Sequence, residues 1–364
     1  MRNNKILHIL YSGFGGVGTM IWDIIKADTE HCFSNELIFI GIEPLYPEYR
    51  KNSESLGIPF HFIHKKKGFD LHSICLLNKY VLRSSAATII IHGLNLAAYV
   101  RPSTLWQKWK QVIIYQHHAY DLLKANEIWI LHRAHLFAQK IVFLTSGYVD
   151  DFRKEHENPS RYIKSYVLPN PLDFGTFYQA PKMHIRPVPE VGMHGRFVPG
   201  KKFYLLIEAA ALLKEKGEDI VFRLAGTGSD WENIQQKIAA DHLHETVILQ
   251  GQLNKAEIVS YLQSLDIYAL MTLREGHSLA AIEAGAAGLP VIASDVPALN
   301  ELICNGETGL LIPNDAAALA EALILLKKDD SLRLGLARSF QEKIKHTHSL
   351  HTYFSQYKDL IVAP

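Results

Sequence analysis

The sequence is poor in cysteine and has no long apolar run. Its three cysteines, Cys32, Cys75 and Cys304, lie far apart in the 364 residues. This spacing excludes a disulfide framework and matches no metal or redox motif, so we expect a reducing compartment. No segment approaches the roughly 20 consecutive apolar residues of a membrane-spanning helix, and the apolar run near the start is too short for a secretory signal. We therefore expect a cytoplasmic protein.

The sequence also lacks a large excess of charge of either sign. It has 38 Lys and Arg against 37 Asp and Glu, a formal net charge of +1, so no nucleic-acid partner is expected. Residues 1–173 hold 20 basic and 15 acidic residues, a balance of +5, and residues 174–364 hold 18 and 22, a balance of −4. The basic first half fits an anionic acceptor or peripheral contact with an acidic membrane surface, and ordinary scatter of surface charge explains it equally well.

Metal-binding motifs are missing as well. None of the 19 histidines has a partner at metal-ligand spacing beside a carboxylate, and there is no Asp-x-Asp sequence. We therefore expect neither a resident metal nor another cofactor.

Apolar segments of strand length alternate with segments at helical spacing along the whole chain. This alternation predicts two α/β domains, each with a doubly wound parallel sheet. A stretch at 174–190 with three prolines (Pro181, Pro187, Pro189) and no sustained apolar period is the expected linker, and residues 346–361 have the apolar spacing of a helix with one buried face. The predicted strands are 6–10, 37–42, 60–63, 88–92, 112–116, 141–144 and 166–168, then 191–194, 220–225, 247–250, 265–271 and 289–293.

The first strand is followed by a glycine-rich loop. Gly13-x-Gly15-x-x-Gly18 matches the dinucleotide-binding fingerprint, and Glu43 after the second strand is where an acidic residue would hold a ribose. An NAD-dependent oxidoreductase is therefore one hypothesis. Such loops recur in many nucleotide-handling α/β folds, and a tight turn without any ligand is a further interpretation.

Two charged pairs and a histidine pair are the candidate functional residues. Glu275 and Glu283 are eight residues apart, about two helical turns, and flank a helix start that favours an anion, as a ligand with hydroxyls and a phosphate requires. Arg196 and Lys201 follow a strand and could hold a diphosphate without metal, or form a solvated basic loop. His117 and His118 follow another strand, either as donor or base beside a ligand or as a structural pair.

Together these motifs resemble those of the retaining glycosyltransferases of the GT-B fold, in particular the large group typified by family four. The resemblance covers nearly the whole chain, and the second half carries its specific signal. The matching segments are Gly15-Gly16-Val17, Leu168-Pro169-Asn170, Gly195-Arg196-Phe197-Val198-Pro199-Gly200-Lys201, Gly226-x-Gly228, Glu275-x7-Glu283 and Asn305-Gly306-Glu307-Thr308-Gly309-Leu310-Leu311-Ile312-Pro313.

The resemblance implies two Rossmann-like domains, at 1–173 and 174–345, that face a cleft, with a helix in 346–364 returning to the first domain. It also implies that Arg196 and Lys201 bind the donor diphosphate, Glu275 the sugar hydroxyls and Glu283 the ribose. His117 or His118 would contact the transferred sugar. The remaining implied donor contacts are Gly15, Gly16, Gly226, Gly251, Gly276, His277, Ser278 and Leu279.

The sequence departs from the family pattern at two places. His277-Ser278 replaces the usual aromatic-Gly, which affects contacts with the donor sugar, and Asn170-Pro171 replaces Asn-Gly at the domain join. The resemblance implies retaining, metal-independent transfer from a UDP- or GDP-sugar to a saccharide or lipid-linked acceptor, in polysaccharide or glycolipid biosynthesis. A nucleotide-sugar epimerase of the same fold and a non-catalytic binding subunit are two competing hypotheses.

Overall fold

The computed structural model describes residues 4–13, 16–68, 70–101, 111–117, 123–133, 138–154 and 164–362. The chain divides into two compact units, Met1–Pro171 with Leu350–Pro364, and Leu172–Ser349. The boundaries expected from the sequence, 173 and 345, lie two residues past Pro171 and four before Ser349.

The first unit is built on a seven-stranded parallel sheet with the strand order β3-β2-β1-β4-β5-β6-β7. Its strands read as nearly continuous runs of Ile, Val and Leu because helices cover both faces, and β4 is buried along its whole length. All seven strands expected from the sequence are present. They are β1 Lys5–Tyr11, β2 Ser34–Gly41, β3 Phe60–His64, β4 Thr88–His92, β5 Gln111–Gln116, β6 Lys140–Phe143 and β7 Lys164–Val167.

The described helices of this unit connect successive strands. Two of them, Pro47–Ser55 and Ser146–Lys154, are strongly polar and bury only two or three residues each. The sequence predicts a helical stretch at 121–139, and among the described residues a helix covers Ala125–Arg133. The other helices are Gly16–Ala27, Leu71–Arg83 and Leu94–Ala97.

The last helix, Leu350–Val362, belongs to the first unit. It buries Tyr353, Tyr357 and Leu360 in a cluster with residues of the sheet and of the helix Gly16–Ala27. The buried Lys140 of β6 donates from Nζ to the carbonyl oxygen of Leu360 at 2.7 Å, which satisfies a C-terminal carbonyl of the helix. The helix begins four residues later than predicted because residues 346–348 complete the preceding helix and Ser349 is extended.

The second unit has a six-stranded parallel sheet with the order β10-β9-β8-β11-β12-β13. Its strands are β8 Glu190–His194, β9 Val221–Ala225, β10 Val247–Gly251, β11 Ile267–Leu270, β12 Val291–Ser294 and β13 Leu310–Ile312. The strand β13 was not predicted, since three half-buried residues are too few for a pattern. The helices are Phe174–Phe177, Phe203–Glu215, Trp231–Ala240, Lys255–Ser264, Leu279–Ala286, Pro297–Leu302, Ala316–Lys328 and Asp330–His348.

The expected linker at 174–190 is instead a packed part of the second unit. Phe177 in its short helix is 1% exposed. Lys182 and Arg186 form ion pairs with the buried carboxylate of Asp266, at 3.1 and 2.8 Å. The linker prediction is wrong because composition shows the prolines but not these long-range pairs, which hold the segment against the sheet.

Each sheet reverses its strand order once. The reversal lies between β1 and β4 in the first unit and between β8 and β11 in the second. In doubly wound sheets, ligands bind outside the carboxyl ends of the strands at this switch point. The residues that follow β1, β4, β8 and β11 are therefore the places to look for a site in each unit.

We predict that Lys140→Met loosens the last helix. The substitution removes the donor to the Leu360 carbonyl and leaves that buried group without its bond, a cost of about 1–3 kcal/mol. Hydrogen exchange of the amides in Leu350–Val362 and chemical unfolding should both report it. Lys164→Met, at an exposed position of the neighbouring strand, is the matched control. Equal effects of the two substitutions would contradict the role given to Lys140.

Candidate functional site

The loop after β8 is fixed by one buried aromatic residue. Phe197 is fully buried and packs against Phe203 and Trp231, with ring centroids 4.1 and 5.5 Å away. Arg196, directly before it, is exposed and has no ion-pair partner in the part of the chain that the structure describes. Phe197 thus holds the loop in place, while Arg196 remains available to an anionic ligand.

Two glycines let the loop after β9 pack against this one. A Cβ atom on Gly226 would lie 1.8 Å from the carbonyl oxygen of Gly195, and one on Gly228 would lie 2.2 Å from that of Phe197. The amide of Gly226 in turn donates to the carbonyl oxygen of Gly251, at the end of β10, at 2.7 Å. Gly226 and Gly251 therefore hold the three loops together through the backbone, and their contact with a donor stays a prediction.

Lys201 and Glu275 form an ion pair at the carboxyl edge of β8 and β11. Lys201 lies in an isolated antiparallel bridge with Thr272, and its Nζ contacts Oε1 of Glu275. The two side chains are only 21% and 10% exposed. Because the pair is largely shielded from solvent, removing one partner would leave the other charge poorly solvated and without this contact.

A closed set of hydrogen bonds supports the start of the Glu275 loop. The amide of Thr272 donates to Oγ of Ser294 at 2.8 Å, and this hydroxyl donates to Oδ1 of Asn314 at 2.7 Å. The Asn314 side-chain amide completes the ring by donating to the Thr272 carbonyl at 2.9 Å. Sequence reasoning missed Ser294 and Asn314, because they come from two other strand ends and have no motif of their own.

Glu275 and Glu283 flank the start of a helix and do not both lie in it. The helix Leu279–Ala286 starts only after Ser278, whose Oγ caps it by accepting from the amide of Ala281 at 3.4 Å. Glu275 therefore lies in the preceding loop with Gly276, whereas Glu283 is in the second turn. The cap residue, which the eight-residue spacing does not reveal, decides this difference.

Glu283 is held by a histidine that the sequence analysis overlooked. Its Oε2 lies 2.9 Å from Nε2 of His194, the last residue of β8, whose Nδ1 lies 3.0 Å from the Tyr268 hydroxyl. A carboxylate only accepts, so Nε2 of His194 donates to Glu283, and the second ring nitrogen is bonded to the Tyr268 hydroxyl. Burial raises the pKa of Tyr268 well above its usual value, which keeps the hydroxyl a donor. The strand-end position that singled out His117 also applies to His194.

His277 makes a contact within the second unit that no local pattern indicates. Its Nε2 lies 3.2 Å from Nε2 of His348, the last residue of the helix Asp330–His348, and the rings stack with centroids 5.0 Å apart. Burial lowers the pKa of His277 to about 4 and that of His348 to about 3, so both rings are neutral near pH 7. The pair fastens the Glu275 loop to the end of a long helix.

In the first unit, His117 directly follows β5 and is half-buried. It stacks with Tyr115 and His92, with centroids 5.8 and 6.0 Å away. His118 and Gly15 lie outside the described residues, and Gly16 is the first residue of the helix Gly16–Ala27. Their expected contacts remain predictions.

Packing accounts for two of the three fingerprint glycines. A Cβ atom on Gly13 would lie 2.0 Å from Oε2 of Glu43, and one on Gly18 would lie 1.9 Å from the Tyr49 hydroxyl. The carboxylate proposed to hold a ribose thus lies against the glycine-rich loop. Both glycines are needed for close approach whether or not a dinucleotide binds.

Two further properties concern metals and membranes. In the described ranges, no three His, Cys, Asp or Glu side chains are grouped so that they could hold a metal ion. None of the described helices combines the length and hydrophobicity needed to cross a membrane.

Comparison with known proteins finds similarity over the part of the chain that contains Arg196, Lys201, Glu275 and Glu283. Residues 184–346 match the family model described as glycosyl transferases group 1. The phosphatidyl-myo-inositol mannosyltransferase of Mycolicibacterium smegmatis is 31% identical over 201 residues, which are 54% of this chain and 51% of that protein. The amylovoran biosynthesis glycosyltransferase AmsK of Erwinia amylovora is 30% identical over 173 residues, 46% of this chain and 42% of that protein. The match thus spans about half the length of these relatives.

The similarity of fold extends further than the similarity of sequence. The crystal structure of Anabaena HepE in complex with UDP superposes with a TM-score of 0.83 at 16% identity, over 99% of this chain and 100% of that one. The expected fold class, two doubly wound parallel-sheet units of the GT-B type, is confirmed.

We predict that Gly226→Ala destabilises the second unit by about 2–4 kcal/mol, because a methyl group would overlap a backbone carbonyl at a φ of +135°. Gly200→Ala, where a Cβ meets nothing within 4 Å, is the matched control and should change stability by less than about 0.5 kcal/mol. Urea unfolding measures both. Two similar midpoints would show that the loops do not need the close approach.

We also predict that acidification destabilises the fold between about pH 6.5 and pH 4. Burial lowers the pKa of His8 and His277 to about 4 and that of His348 to about 3, while the unfolded chain binds these protons near pH 6.5. Stability is full above that range and falls by about 1.4 kcal/mol per pH unit for each ring. Thermal unfolding at several pH values should show a shallower slope for His348→Asn but not for His346→Asn, an exposed neighbour. An unchanged slope for His348→Asn would contradict this.

Proposed function

We propose that this chain, whose second unit carries the domain of the group 1 glycosyl transferases, moves a glycosyl group from a nucleoside diphosphate sugar to a hydroxyl of an acceptor. One observation carries the proposal. The Lys201–Glu275 ion pair and the Glu283–His194 pair both lie at the carboxyl ends of β8 and β11 or on the helix that follows, at the switch point and within the matched residues.

Each group at this edge suits one part of such a donor. Glu283 has one oxygen on His194, and in the described structure its other oxygen has no hydrogen bond, so it can accept from ribose hydroxyls. Arg196 offers a planar guanidinium to the diphosphate. Glu275, with Gly276, is suited to the hydroxyls of the transferred sugar. The donor base in this proposal is uracil or guanine, and the Anabaena structure, which contains UDP, supports uracil.

The proposed reaction breaks the bond between the anomeric carbon and a phosphate oxygen. The leaving diphosphate gains negative charge, which Arg196, Lys201 and the N-terminal amides of the helix Leu279–Ala286 would stabilise. The acceptor oxygen forms the new bond on the same face of the sugar, and its proton passes to the departing phosphate oxygen. The proposal includes retention of configuration, because the acceptor attacks on the face that the phosphate leaves. It also includes independence of metal, because cationic side chains take the place of Mg²⁺.

Lys201 has a second part in this scheme. In the structure its ammonium contacts the Glu275 carboxylate and holds it in position at low exposure. A bound diphosphate would compete for the same ammonium. The carboxylate would then turn from the lysine to sugar hydroxyls, so that binding of the donor exchanges one set of charge-assisted bonds for another.

The acceptor belongs to the first unit in this proposal. Its basic balance and the strand-end residues His117 and His118 would face the acceptor and the transferred sugar, and Gly15 and Gly16, after the first strand, would contact the donor. The names of the relatives point to a glycolipid or cell-surface polysaccharide as the product. Peripheral contact with the inner face of a membrane fits such an acceptor.

We predict that Arg196→Gln and Glu275→Gln each lower the rate of transfer about 10²–10³-fold, as loss of one group that stabilises a transition-state charge does elsewhere. The measurement is release of nucleoside diphosphate in the presence of saccharide acceptors. Arg338→Gln, an exposed arginine of the same unit, is the control and should keep the wild-type rate.

Three outcomes would contradict the proposed function. Full activity of either variant would remove these residues from the reaction. Release of nucleoside diphosphate without an acceptor product would favour an epimerase or a hydrolase. Thermal stabilisation by NAD, and by neither UDP nor GDP, would favour the oxidoreductase.

A further inference from the structure

His92 lies at the switch point of the first unit. It is the last residue of β4, which pairs with β1 on one side and β5 on the other, and it is 7% exposed. Its ring stacks with those of His8, Tyr115 and His117, at centroid distances between 5.3 and 6.0 Å. No motif drew attention to it, and the proposed reaction does not use it.

A chain of hydrogen bonds runs from β2 to this histidine. Oδ1 of Asn35 lies 3.1 Å from Nε2 of His8, and Nδ1 of His8 lies 3.1 Å from Nε2 of His92. Burial lowers the pKa of His8 to about 4 and that of His92 well below its usual value, so both rings are neutral near pH 7. Each ring therefore carries one proton and offers one acceptor nitrogen.

These contacts decide which nitrogen of His92 is the acceptor. The Asn35 oxygen only accepts, so the proton of His8 is on Nε2. Nδ1 of His8 then accepts, and the proton of His92 must be on its Nε2. It follows from this series of hydrogen bonds that Nδ1 of His92 is an unprotonated nitrogen with a lone pair.

That nitrogen is buried and unused. In the part of the chain that the structure describes, Nδ1 of His92 has no hydrogen-bond partner. A buried acceptor without a donor is unfavourable, and such groups are rare outside sites where another molecule supplies the donor. The location at the β1–β4 switch point is an independent indication of a ligand, because it follows from strand order alone.

We propose that Nδ1 of His92 accepts a hydrogen bond from a neutral hydroxyl group of the acceptor substrate. The inference rests on the proposed function and deepens it, since the charged side chains assigned to the nucleotide and diphosphate all lie in the second unit. A lone pair repels phosphate and carboxylate oxygens that carry no proton. The subsite beside His92 therefore selects the polyol part of an acceptor and leaves any anionic part to be bound elsewhere.

Two substitutions separate this role from a structural one. His92→Asn keeps an oxygen acceptor near the position of Nδ1 and loses the bond to His8. His92→Gln keeps a group near the position of Nε2 for His8 and loses the acceptor at Nδ1. We expect His92→Gln to raise KM for the acceptor about tenfold and His92→Asn to raise it less than about threefold, with thermal stabilisation by UDP unchanged in both.

A purely structural role predicts the reverse order, because the variant that keeps the bond to His8 would then be nearer the wild type. The reverse order, or two variants with the wild-type KM, would overturn the proposal. Loss of UDP stabilisation would also overturn it, since that result would place His92 in donor binding. Absence of transfer by the wild-type protein would be a failure of the proposed function and not of this subsite, which the following measurement tests without turnover.

Nitrogen-15 NMR of the histidine rings tests the subsite directly in the wild-type chain. We expect the resonance of His92 Nδ1 to be that of an unprotonated nitrogen and to shift saturably with myo-inositol or methyl glucoside in the presence of UDP, but not with inorganic phosphate. A protonated Nδ1 would show that the order of donors is reversed. A shift with phosphate, or no shift with either polyol, would equally overturn the assignment.

Discussion

Burial of both faces of each parallel sheet is the constraint on which the rest of this structure depends. Strands such as β4 and β12 are buried throughout, so a polar side chain within them must have its hydrogen bonds supplied by the fold. Groups that bind a ligand are then confined to the carboxyl edge, where the backbone leaves the sheet. The candidate groups of the second unit all come from loops at this edge or from the helix that starts there.

This constraint also explains why the loops are so closely fitted. The loop that carries Arg196 is held by the buried ring of Phe197 and by the close backbone approach of the glycines after β9. The loop that carries Glu275 is held by the ring of hydrogen bonds through Thr272. Charged side chains at the edge can then be positioned without a metal ion, because the backbone that carries them is fixed before any ligand binds.

The sequence predicted those parts of the fold that depend on local pattern. Long apolar runs located twelve of the strands, and the spacing of Lys201 and Glu275 after strands agrees with the ion pair that they form at the edge of the sheet. The prediction failed where a contact across the chain decides the outcome. His194 and Glu283 are 89 residues apart, and His277 and His348 are 71 apart. A single sequence has no signal for such pairs, and the cap at Ser278 shows that one short-range contact can also reorder a motif.

The two units differ in how the histidine at the switch point is hydrogen-bonded. Each places a histidine at the last position of a switch-point strand, His194 in β8 and His92 in β4. In His194 both nitrogens are bonded, and the ring holds Glu283 ready to accept. In His92 one nitrogen is bonded to His8, and the hydrogen bonds from Asn35 through His8 make the other nitrogen an acceptor. An imidazole fixed in position by the fold can thus serve either to orient a carboxylate or to accept from a hydroxyl itself. Which of the two it does depends on whether the fold supplies a partner for its second nitrogen.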